Sequence, residues 1–358
     1  MHRVLNYGSI LQAYATKRVI ESLGHDCEII DYRYPNEFHY AHGRKKYAIT
    51  WKGRIARRFS LTKKWRRLNR FRNFQEKYLN LSREYISPED IRNNPPNYDI
   101  YLVGSDQVWN PKYLFEDTVF LLDFVPNDKK KISYASSFST NKIPEAFKEK
   151  YIRLLSQFES ISVRETNGAK LVKELTGRDA SVNIDPTLLL KPDDWNKICS
   201  RSKLCKRPYI LVYILTYAVG DIPCLNDIVR KLKQEKNAQI IYLGNRIEGI
   251  YCDRYIDNCS PSQFISLVRW TSFIITTSFH GTAFALNYGI PFISIADNKA
   301  DDRIYSLLQQ LDATRHMMYK NDNVSSLFLG EINETIKSNL VMLRNKSVEY
   351  LKKCLKEC

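Results

Sequence analysis

The segment Thr276–Thr282 contains residue types that suit chemistry on a phosphorylated substrate. It links a β-rich run, Phe273–Thr277, to a helical pattern that continues to Tyr288. His280 is therefore expected at a helix N-terminus, where backbone N–H groups attract phosphate and an imidazole can transfer protons. The alternative is a histidine with a purely structural role. We favour a catalytic His280, with the amides of Gly281 and Thr282 holding the anion.

A second polar segment follows the β-rich run Tyr98–Val103, which ends at Gly104. Carboxylate and amide side chains there can hydrogen-bond sugar hydroxyls, and the ring of Trp109 suits the C–H face of a sugar. The alternative is a turn around a buried tryptophan. Because ligands of α/β proteins bind beyond the carboxyl ends of strands, we favour binding. The expected sugar contacts are Ser105, Asp106, Gln107, Trp109 and Asn110.

Three further segments lie at expected element boundaries. Asn6, Tyr7 and Gly8 precede the first helix and either approach a ligand or simply begin the helix. Arg164 follows a strand and either grips a phosphate or carboxylate or pairs with a neighbouring acid. Arg303 opens a helix beside two acids, which favours an ordinary helix start, although its guanidinium can reach the same cleft.

Short β-rich runs alternate with helical patterns along the chain, beginning with a helix over Ser9–Leu23. This alternation predicts an α/β fold in which two Rossmann-like domains with parallel sheets face a cleft. We expect an N-terminal domain over 1–200 with a basic insertion at 40–80, a second domain over 201–325, and a C-terminal helix over 326–358. Only Arg3–Leu5 is available for a first strand, so either that strand is very short or the natural N-terminus is longer.

The formal charge of +16 comes mostly from one segment. Arg44–Arg72 holds 13 of the 55 basic residues and none of the 39 acids, which leaves the remainder at +3. Its aromatic residues, among them Trp65 and Phe71, are typical of an amphipathic helix that lies on anionic lipid. The alternative is a solvated basic helix. Binding of nucleic acid has no support beyond the charge, since no nucleic-acid motif is present.

The eight cysteines form no CxxC pair, and no histidine lies at zinc-finger spacing. They are therefore expected to be reduced thiols of a cytoplasmic protein. No metal site and no cofactor is expected. The longest apolar run falls short of the roughly 20 residues of a membrane span, so any membrane contact would be peripheral, on the inner face of the cell membrane.

Five segments together resemble the polysaccharide pyruvyl transferase family, in family order and up to about residue 312. They are 6–14 (NYGSILQAY), 99–110 (DIYLVGSDQVWN), 162–165 (SVRE), 185–189 (DPTLL) and 278–283 (SFHGTA). The most specific is the run Gly-Ser-Asp-Gln-Val-Trp-Asn. The resemblance implies a glycosyltransferase-B-like fold and a transferase that uses phosphoenolpyruvate as donor substrate.

The product would be a pyruvate ketal on two hydroxyls of a lipid-linked or free oligosaccharide, for a capsule or exopolysaccharide. The family's catalytic histidine falls on His280. The donor would contact Arg164, Ser278, Gly281, Thr282 and Arg303. The acceptor would contact Asn6, Tyr7, Gly8, Ser105, Asp106, Gln107, Trp109 and Asn110.

One departure from the family concerns the donor, because members often carry arginine where this chain has Ser278. A nucleotide-sugar-dependent glycosyltransferase of the same fold is the alternative function. Retaining enzymes of that kind often carry paired glutamates in the donor half, and the stretch Ser278–Pro291 contains none.

Overall fold

A computed structural model describes residues 1–33, 63–114, 117–200, 204–216, 220–244, 247–297 and 302–356. The greater part of the basic segment, residues 44–62, lies outside the described residues. The chain divides into two compact units. Unit 1 comprises Met1–Trp65, Gln75–Leu189 and Leu343–Cys358, and unit 2 comprises Arg66–Phe74 and Leu190–Met342.

The first half of the chain alternates helices with short strands. In chain order the elements are α1 (Tyr7–Ser22), β1 (Ile29–Tyr32), α2 (Lys63–Tyr78), β2 (Leu81–Tyr85), α3 (Pro88–Asn93), β3 (Ile100–Val103), α4 (Pro111–Leu114), β4 (Lys130–Ser133), α5 (Glu145–Leu155), β5 (Ser162–Val163), α6 (Thr166–Thr176) and β6 (Ser181–Val182). Strands β1 and β2, β3 and β4, and β5 and β6 pair in parallel. The parallel bridges Ile132↔Ser160 and Ser136↔Val163 join β4 to the β5 segment.

The second half continues the alternation. Its elements are α7 (Pro192–Asn196), β7 (Tyr209–Tyr213), α8 (Leu225–Lys236), β8 (Gln239–Leu243), β9 (Arg254–Ile256), α9 (Pro261–Arg269), β10 (Phe273–Thr276), α10 (Phe279–Tyr288), β11 (Phe292–Ala296), α11 (Asp302–Gln310), β12 (Met317–Tyr319) and α12 (Glu334–Leu355). Six strands form one parallel sheet in the order β9-β8-β7-β10-β11-β12. The α/β class with parallel sheets is thereby confirmed.

The sequences of these elements explain which strands lie at the centre of the sheet and where helix α9 begins. Strands β7, β10 and β11 are buried along their whole length, as expected for strands covered on both faces. The expected cap of α9 is confirmed, since the Ser260 hydroxyl accepts from the Gln263 amide at 3.1 Å and Pro261 is the first helical residue. The strands β9 and β12 form the sheet edges, where short strands lack the apolar run that marks a central strand.

Two expected elements differ in the structure. Residues 3–5 form no strand, because the backbone turns there: the Val4 amide donates to the Met1 carbonyl at 2.9 Å and the Asn6 amide to the Val4 carbonyl at 2.7 Å. The final helix begins at Glu334 and not near residue 326. The Asn333 side chain accepts from the Ile336 amide at 2.9 Å and so marks the start of α12. Residues of this helix fall in both units.

The amphipathic helix expected in the basic segment is only partly as predicted. Its described part belongs to α2, which extends to Tyr78, and Trp65 and Phe71 are 6% and 1% exposed. These two rings therefore belong to the protein interior and cannot insert into lipid. Among the described residues, no helix is both long and apolar enough to cross a membrane.

Candidate active site

The sheet of unit 2 has a topological switch point next to His280. Numbered within the unit, its strand order is 3-2-1-4-5-6, the order of Rossmann folds that bind dinucleotides. The order reverses between its first strand, β7, and its fourth, β10. Ligands of such sheets bind beyond the carboxyl ends of the strands at this point, and His280 lies in the first turn of α10, directly after β10.

Hydroxyl groups fix the two strand ends at the switch point. The Thr276 hydroxyl donates to the carbonyl of Tyr213 at 2.8 Å, and the Thr277 hydroxyl accepts from the Leu215 amide at 2.7 Å. The Ser278 hydroxyl caps α10 by accepting from the Gly281 amide at 3.3 Å. The start of α10 is thus held rigidly against both strands.

His280 is buried at this helix start, and its ring meets the Phe279 ring edge-on at 5.3 Å between centroids. Glycine is needed at position 281 for a steric reason, because a Cβ there would lie 2.3 Å from the Thr276 hydroxyl oxygen. The helix can therefore approach β10 this closely only with glycine at position 281.

The structure corrects the expectation that the amides of Gly281 and Thr282 hold the anion. The Gly281 amide donates to the Ser278 hydroxyl, so the helix cap already uses it. The expectation for Thr282 is corrected as well. Its amide donates to the Ser278 carbonyl at 3.0 Å, because it is the fourth helical residue and hence within the helical bonding pattern. Its hydroxyl lies 3.2 Å from the same carbonyl and 2.6 Å from the Ser294 hydroxyl. Thr282 is fully buried, so it supports the site and does not contact a donor.

Arg303 is the second residue of α11, the helix that follows β11. Because β11 is the neighbour of β10 in the sheet, Arg303 follows the strand next to that of His280. Arg303 therefore lies on the side of the unit 2 sheet where the strands have their carboxyl ends, as His280 does.

In unit 1, residues that follow three strands, β3, β5 and β6, share a buried polar network. The Ser105 hydroxyl, after β3, lies 2.9 Å from Asp185 Oδ2, and Arg164 Nη1, after β5, donates to the same oxygen at 2.8 Å. Asp185 Oδ1 accepts from the amide and hydroxyl of Thr187 at 3.0 and 2.8 Å. Asp106 Oδ1 lies 3.9 Å from Arg164 Nη2. One guanidinium thus bridges two carboxylates.

This network corrects the expectation for Arg164. Its side chain is 1% exposed and belongs to a buried ion pair. A guanidinium held in this way fixes the strand-end loops and is not available as a donor-phosphate ligand.

The expected sugar contacts of the loop after β3 divide into two groups. Trp109 is fully buried against the rings of Phe138 and Phe158, and its indole N–H donates to the carbonyl of Phe120 at 3.0 Å. Ser105 is fully buried as well. The structure therefore corrects the expectation for these two residues, since a sugar cannot reach side chains enclosed in the core.

The remaining residues of the loop lie nearer to the surface. Gln107 is half-buried, and its Oε1 accepts from the Asn110 side chain at 2.8 Å. Asn110 is buried, and its Oδ1 also accepts from the Lys112 amide at 3.0 Å. Asp106 is buried except for a small part of its side chain.

Helix α1 begins beside this loop. The Asn6 side chain caps the helix by accepting from the Gly8 amide at 2.8 Å, while Tyr7 and Gly8 are buried. Two residues that sequence reasoning did not select connect α1 to the loop. The Ser9 hydroxyl donates to Asp106 Oδ2 at 2.5 Å, and Gln12 Oε1 accepts from the Ser105 amide at 2.9 Å.

Two other buried acids were also missed as part of this region. Asp185 lies in one of the family-like segments, but its partner Arg164 is not adjacent in sequence. Glu165 Oε1 accepts from the Ser137 hydroxyl and from the amides of Phe138 and Ser139. The only available signal was an acid directly after a short β-rich run. Across the described ranges, no group of three or more His, Cys, Asp or Glu side chains is placed to hold a metal ion.

Two of the solved structures that resemble this chain are UDP-N-acetylglucosamine 2-epimerases, and both likenesses are distant. A UDP-N-acetylglucosamine 2-epimerase from Rickettsia bellii is 11% identical over 96% of each chain, with a TM-score of 0.49. A putative UDP-N-acetylglucosamine 2-epimerase from Listeria monocytogenes is 12% identical over 80% of each chain, with a TM-score of 0.47. At such low identities and TM-scores, the likeness does not support any inference about the function of this chain. No curated protein matches the sequence.

The family model of polysaccharide pyruvyl transferase matches residues 6–299, which is most of the chain. The matched region includes the Ser105–Asp106 loop, Arg164, Asp185 and the His280 turn. Membership makes the protein a transferase that acts in polysaccharide biosynthesis. The chain belongs to the polysaccharide pyruvyl transferase family.

Proposed function

We propose that the protein transfers the pyruvate unit of phosphoenolpyruvate to two hydroxyls of a sugar, forming a cyclic ketal. Family membership supports the pyruvyl transfer. The observation that carries the donor assignment is the place of His280, in the first turn of α10 at the switch point of the unit 2 sheet. No metal and no cofactor takes part in this proposal.

The proposed reaction balances without any oxidant or reductant. Two hydroxyl O–H bonds break and two C–O bonds form at C2 of phosphoenolpyruvate. The bond from C2 to the phosphate oxygen breaks, and the methylene carbon gains one proton to become a methyl group. The two hydroxyl protons account for the new methyl hydrogen and for the proton on the departing hydrogen phosphate.

In this proposal unit 2 binds the donor. His280 gives a proton to the methylene carbon, and the positive end of the α10 dipole favours an anion beside it. The Ser278 hydroxyl and Arg303 would hold the phosphate and carboxylate of the donor. Arg303 is a cation that follows β11, the strand beside β10. We therefore assign to it the role of the arginine that family members often carry at the position of Ser278.

Unit 1 binds the acceptor in the same proposal, as a lipid-linked or free oligosaccharide. Asn6 and Gln107 are the half-buried polar side chains of the α1 start and the β3 loop. Their amide groups can donate to and accept from sugar hydroxyls.

The test is phosphate release from phosphoenolpyruvate in the presence of a panel of diphosphate-lipid-linked mono- and disaccharides. His280→Ala should reduce turnover by about 10²–10⁴-fold, the usual contribution of a general acid. His25→Ala is the matched control, because His25 lies in the connection between α1 and β1, and it should retain full turnover.

Two results would contradict this function. Full phosphate release by His280→Ala would remove the catalytic role. Consumption of UDP-sugars by the wild-type protein, with none of phosphoenolpyruvate, would instead establish the glycosyltransferase alternative.

We also propose that the protein associates peripherally with an anionic membrane surface through the basic segment Arg44–Arg72. The support is the concentration of 13 cations without an acid. Because Trp65 and Phe71 are buried, the contact made by the described part would be electrostatic and would not involve insertion of these rings.

A further inference from the structure

Strand β11 carries one hydroxyl in an otherwise apolar sequence. Its residues are Phe292, Ile293, Ser294, Ile295 and Ala296, and Ser294 is 0% exposed. A buried hydroxyl costs free energy unless it is hydrogen-bonded. The Ser294 oxygen lies 2.6 Å from the hydroxyl oxygen of Thr282 on α10, within the usual range of an O–H···O bond. Ser294 therefore cannot contact a substrate, and its hydroxyl connects β11 to α10.

This hydroxyl belongs to a connection that holds the cap of α10 from two strands. Ser294 is the register partner of Thr276 on β10, so both side chains lie on the same face of the sheet. The Thr276 hydroxyl accepts from the Ser278 amide at 3.0 Å. The Thr282 hydroxyl donates to the Ser278 carbonyl at 3.2 Å, so the proton between Ser294 and Thr282 comes from Ser294. The N–H of Ser278 is thus held by β10 directly, and its C=O is held by β11 through Thr282.

The position of His280 depends on this cap. His280 is the second residue of α10 and lies two positions after Ser278. Apolar contacts between the helix and the sheet are not directional, whereas hydrogen bonds require a defined distance and angle. The hydroxyl connections therefore determine where the first turn of α10 lies along the ends of the strands. Such precision matters in catalysis, because a displacement of about 1 Å can reduce a rate by about 10²-fold.

We propose that Ser294 is a positioning residue for His280. Through Thr282, it holds the first turn of α10 where the imidazole can protonate the methylene carbon of phosphoenolpyruvate. This inference rests on the proposed pyruvyl transfer. The alternative is that the two hydroxyls contribute to stability alone. The two roles differ in the kcat of a variant that lacks the Ser294 hydroxyl, when it is compared with a variant of equal stability.

The comparison is between Ser294→Ala and Ile293→Val. Ile293 is the neighbouring residue of β11 and lies on the opposite face of the sheet, in one apolar cluster with Ile228 of α8. The loss of a hydrogen bond and an Ile→Val change in a core have similar costs, so each variant should lower the midpoint of thermal unfolding by about 2–4 °C. Ser294→Ala should also reduce the kcat of phosphate release by about 10–100-fold, a larger change than that in the KM for phosphoenolpyruvate. Ile293→Val should retain the wild-type kcat.

Two substitutions of Thr282 show whether the hydroxyl itself is required. Thr282→Val retains the side-chain shape without the hydroxyl and should lower kcat as Ser294→Ala does. Thr282→Ser retains the hydroxyl and should keep most of the wild-type kcat. The double variant Ser294→Ala/Thr282→Val should be no slower than Thr282→Val alone, because both changes break the same connection. Multiplication of the two losses in the double variant would contradict this connection.

The position of the His280 ring can also be followed without a substrate. Its imidazole proton NMR signal is identified by its loss from His280→Ala. The signal should shift in Ser294→Ala and in Thr282→Val, and it should stay in place in Ile293→Val.

The outcomes separate the positioning role from the function on which it rests. A wild-type protein that releases no phosphate from phosphoenolpyruvate with any acceptor overturns the function, and the NMR signal then decides the positioning role: an unmoved signal in Ser294→Ala refutes it. In an active wild-type protein, a Ser294→Ala variant with full kcat overturns the positioning role alone. An equal loss of kcat in Ile293→Val does the same, because it indicates a general effect of lower stability. Should Ser294→Ala fail to fold, Thr282→Val and Thr282→Ser decide, and equal kcat values for these two would refute the proposal.

Discussion

At the scale of the residue, burial separates side chains that the sequence treats alike. Arg164 and Arg303 both follow a strand, and both were expected to contact a donor. Arg164 is 1% exposed and pairs with Asp185, whose side chain is fully buried. Such a pair is costly to break, because removal of one partner leaves a buried charge without compensation. We therefore assign Arg164 to the framework and retain Arg303 for the donor.

Arg164→Met tests this assignment. The free energy of unfolding should fall by about 3–5 kcal/mol, since Asp185 would remain buried without its charge partner. Urea unfolding measures the loss. Phosphoenolpyruvate should still stabilise the variant protein against heating, as it does the wild type, because the proposed donor residues lie in unit 2.

The opposite pattern would restore Arg164 to the donor site. That pattern is unchanged stability in urea together with a large increase in the KM for phosphoenolpyruvate. Lys173→Met, a half-exposed cation of α6 in the same unit, serves as the control and should change neither quantity.

At the scale of the element, the contact between α10 and β10 sets the position of His280. The strand ends at Thr276 and the helix begins at Phe279. The Ser278 cap, the Thr276 hydroxyl that donates to the Tyr213 carbonyl and the Thr282 hydroxyl beside Ser294 are all buried. Gly281 lies against Thr276, whose hydroxyl also accepts from the Ser278 amide at 3.0 Å. Thr276 therefore cannot turn aside without losing two hydrogen bonds.

Gly281→Ala should consequently displace α10 from the strand. The added methyl group would lie 2.3 Å from the Thr276 hydroxyl oxygen, and overpacking of this kind costs about 1–3 kcal/mol. We expect a lower midpoint of thermal unfolding and a lower kcat, since His280 moves with the helix. The double variant Gly281→Ala/Thr276→Ala removes the clashing oxygen and should recover part of the stability. A single variant with the midpoint and kcat of the wild type would disprove the contact.

At the scale of the whole molecule, the charge is concentrated and the remainder is nearly neutral. The arithmetic of 13 cations among 29 residues is independent of the fold. The fold adds that α2, where this segment continues, uses its aromatic side chains for the interior. Lys63, Arg66 and Arg72 are exposed cations of α2, and they are the described residues that we propose to face an anionic surface.

Replacement of Lys63, Arg66 and Arg72 by glutamine should weaken binding to vesicles that contain anionic phospholipid by more than tenfold. Each basic residue near such a surface contributes about 1 kcal/mol to the free energy of binding. Added salt should likewise weaken vesicle binding by the wild-type protein. Vesicle co-sedimentation measures the effect. The matched control replaces Lys173, Lys337 and Lys352, which are 50–56% exposed. Equal loss in the control, or undiminished binding by the first variant, would refute the assignment.

The sequence by itself determined the α/β class, most elements of unit 2 and the helix start at His280. These follow from local signals: runs of apolar residues, a capping serine and a glycine at a helix end act over a few neighbouring positions. The family-like segments also followed from residue order alone, and the family model covers them.

Only the tertiary structure decided which polar residues share a site. Ser9 and Asp106 are 97 positions apart, and they meet because the start of α1 packs beside the carboxyl end of β3. Trp109 is suited to a sugar by type, yet Phe138 and Phe158 enclose it. Residue type and spacing fix what a side chain can do, whereas its exposure and its partner depend on packing between segments that are distant in the chain.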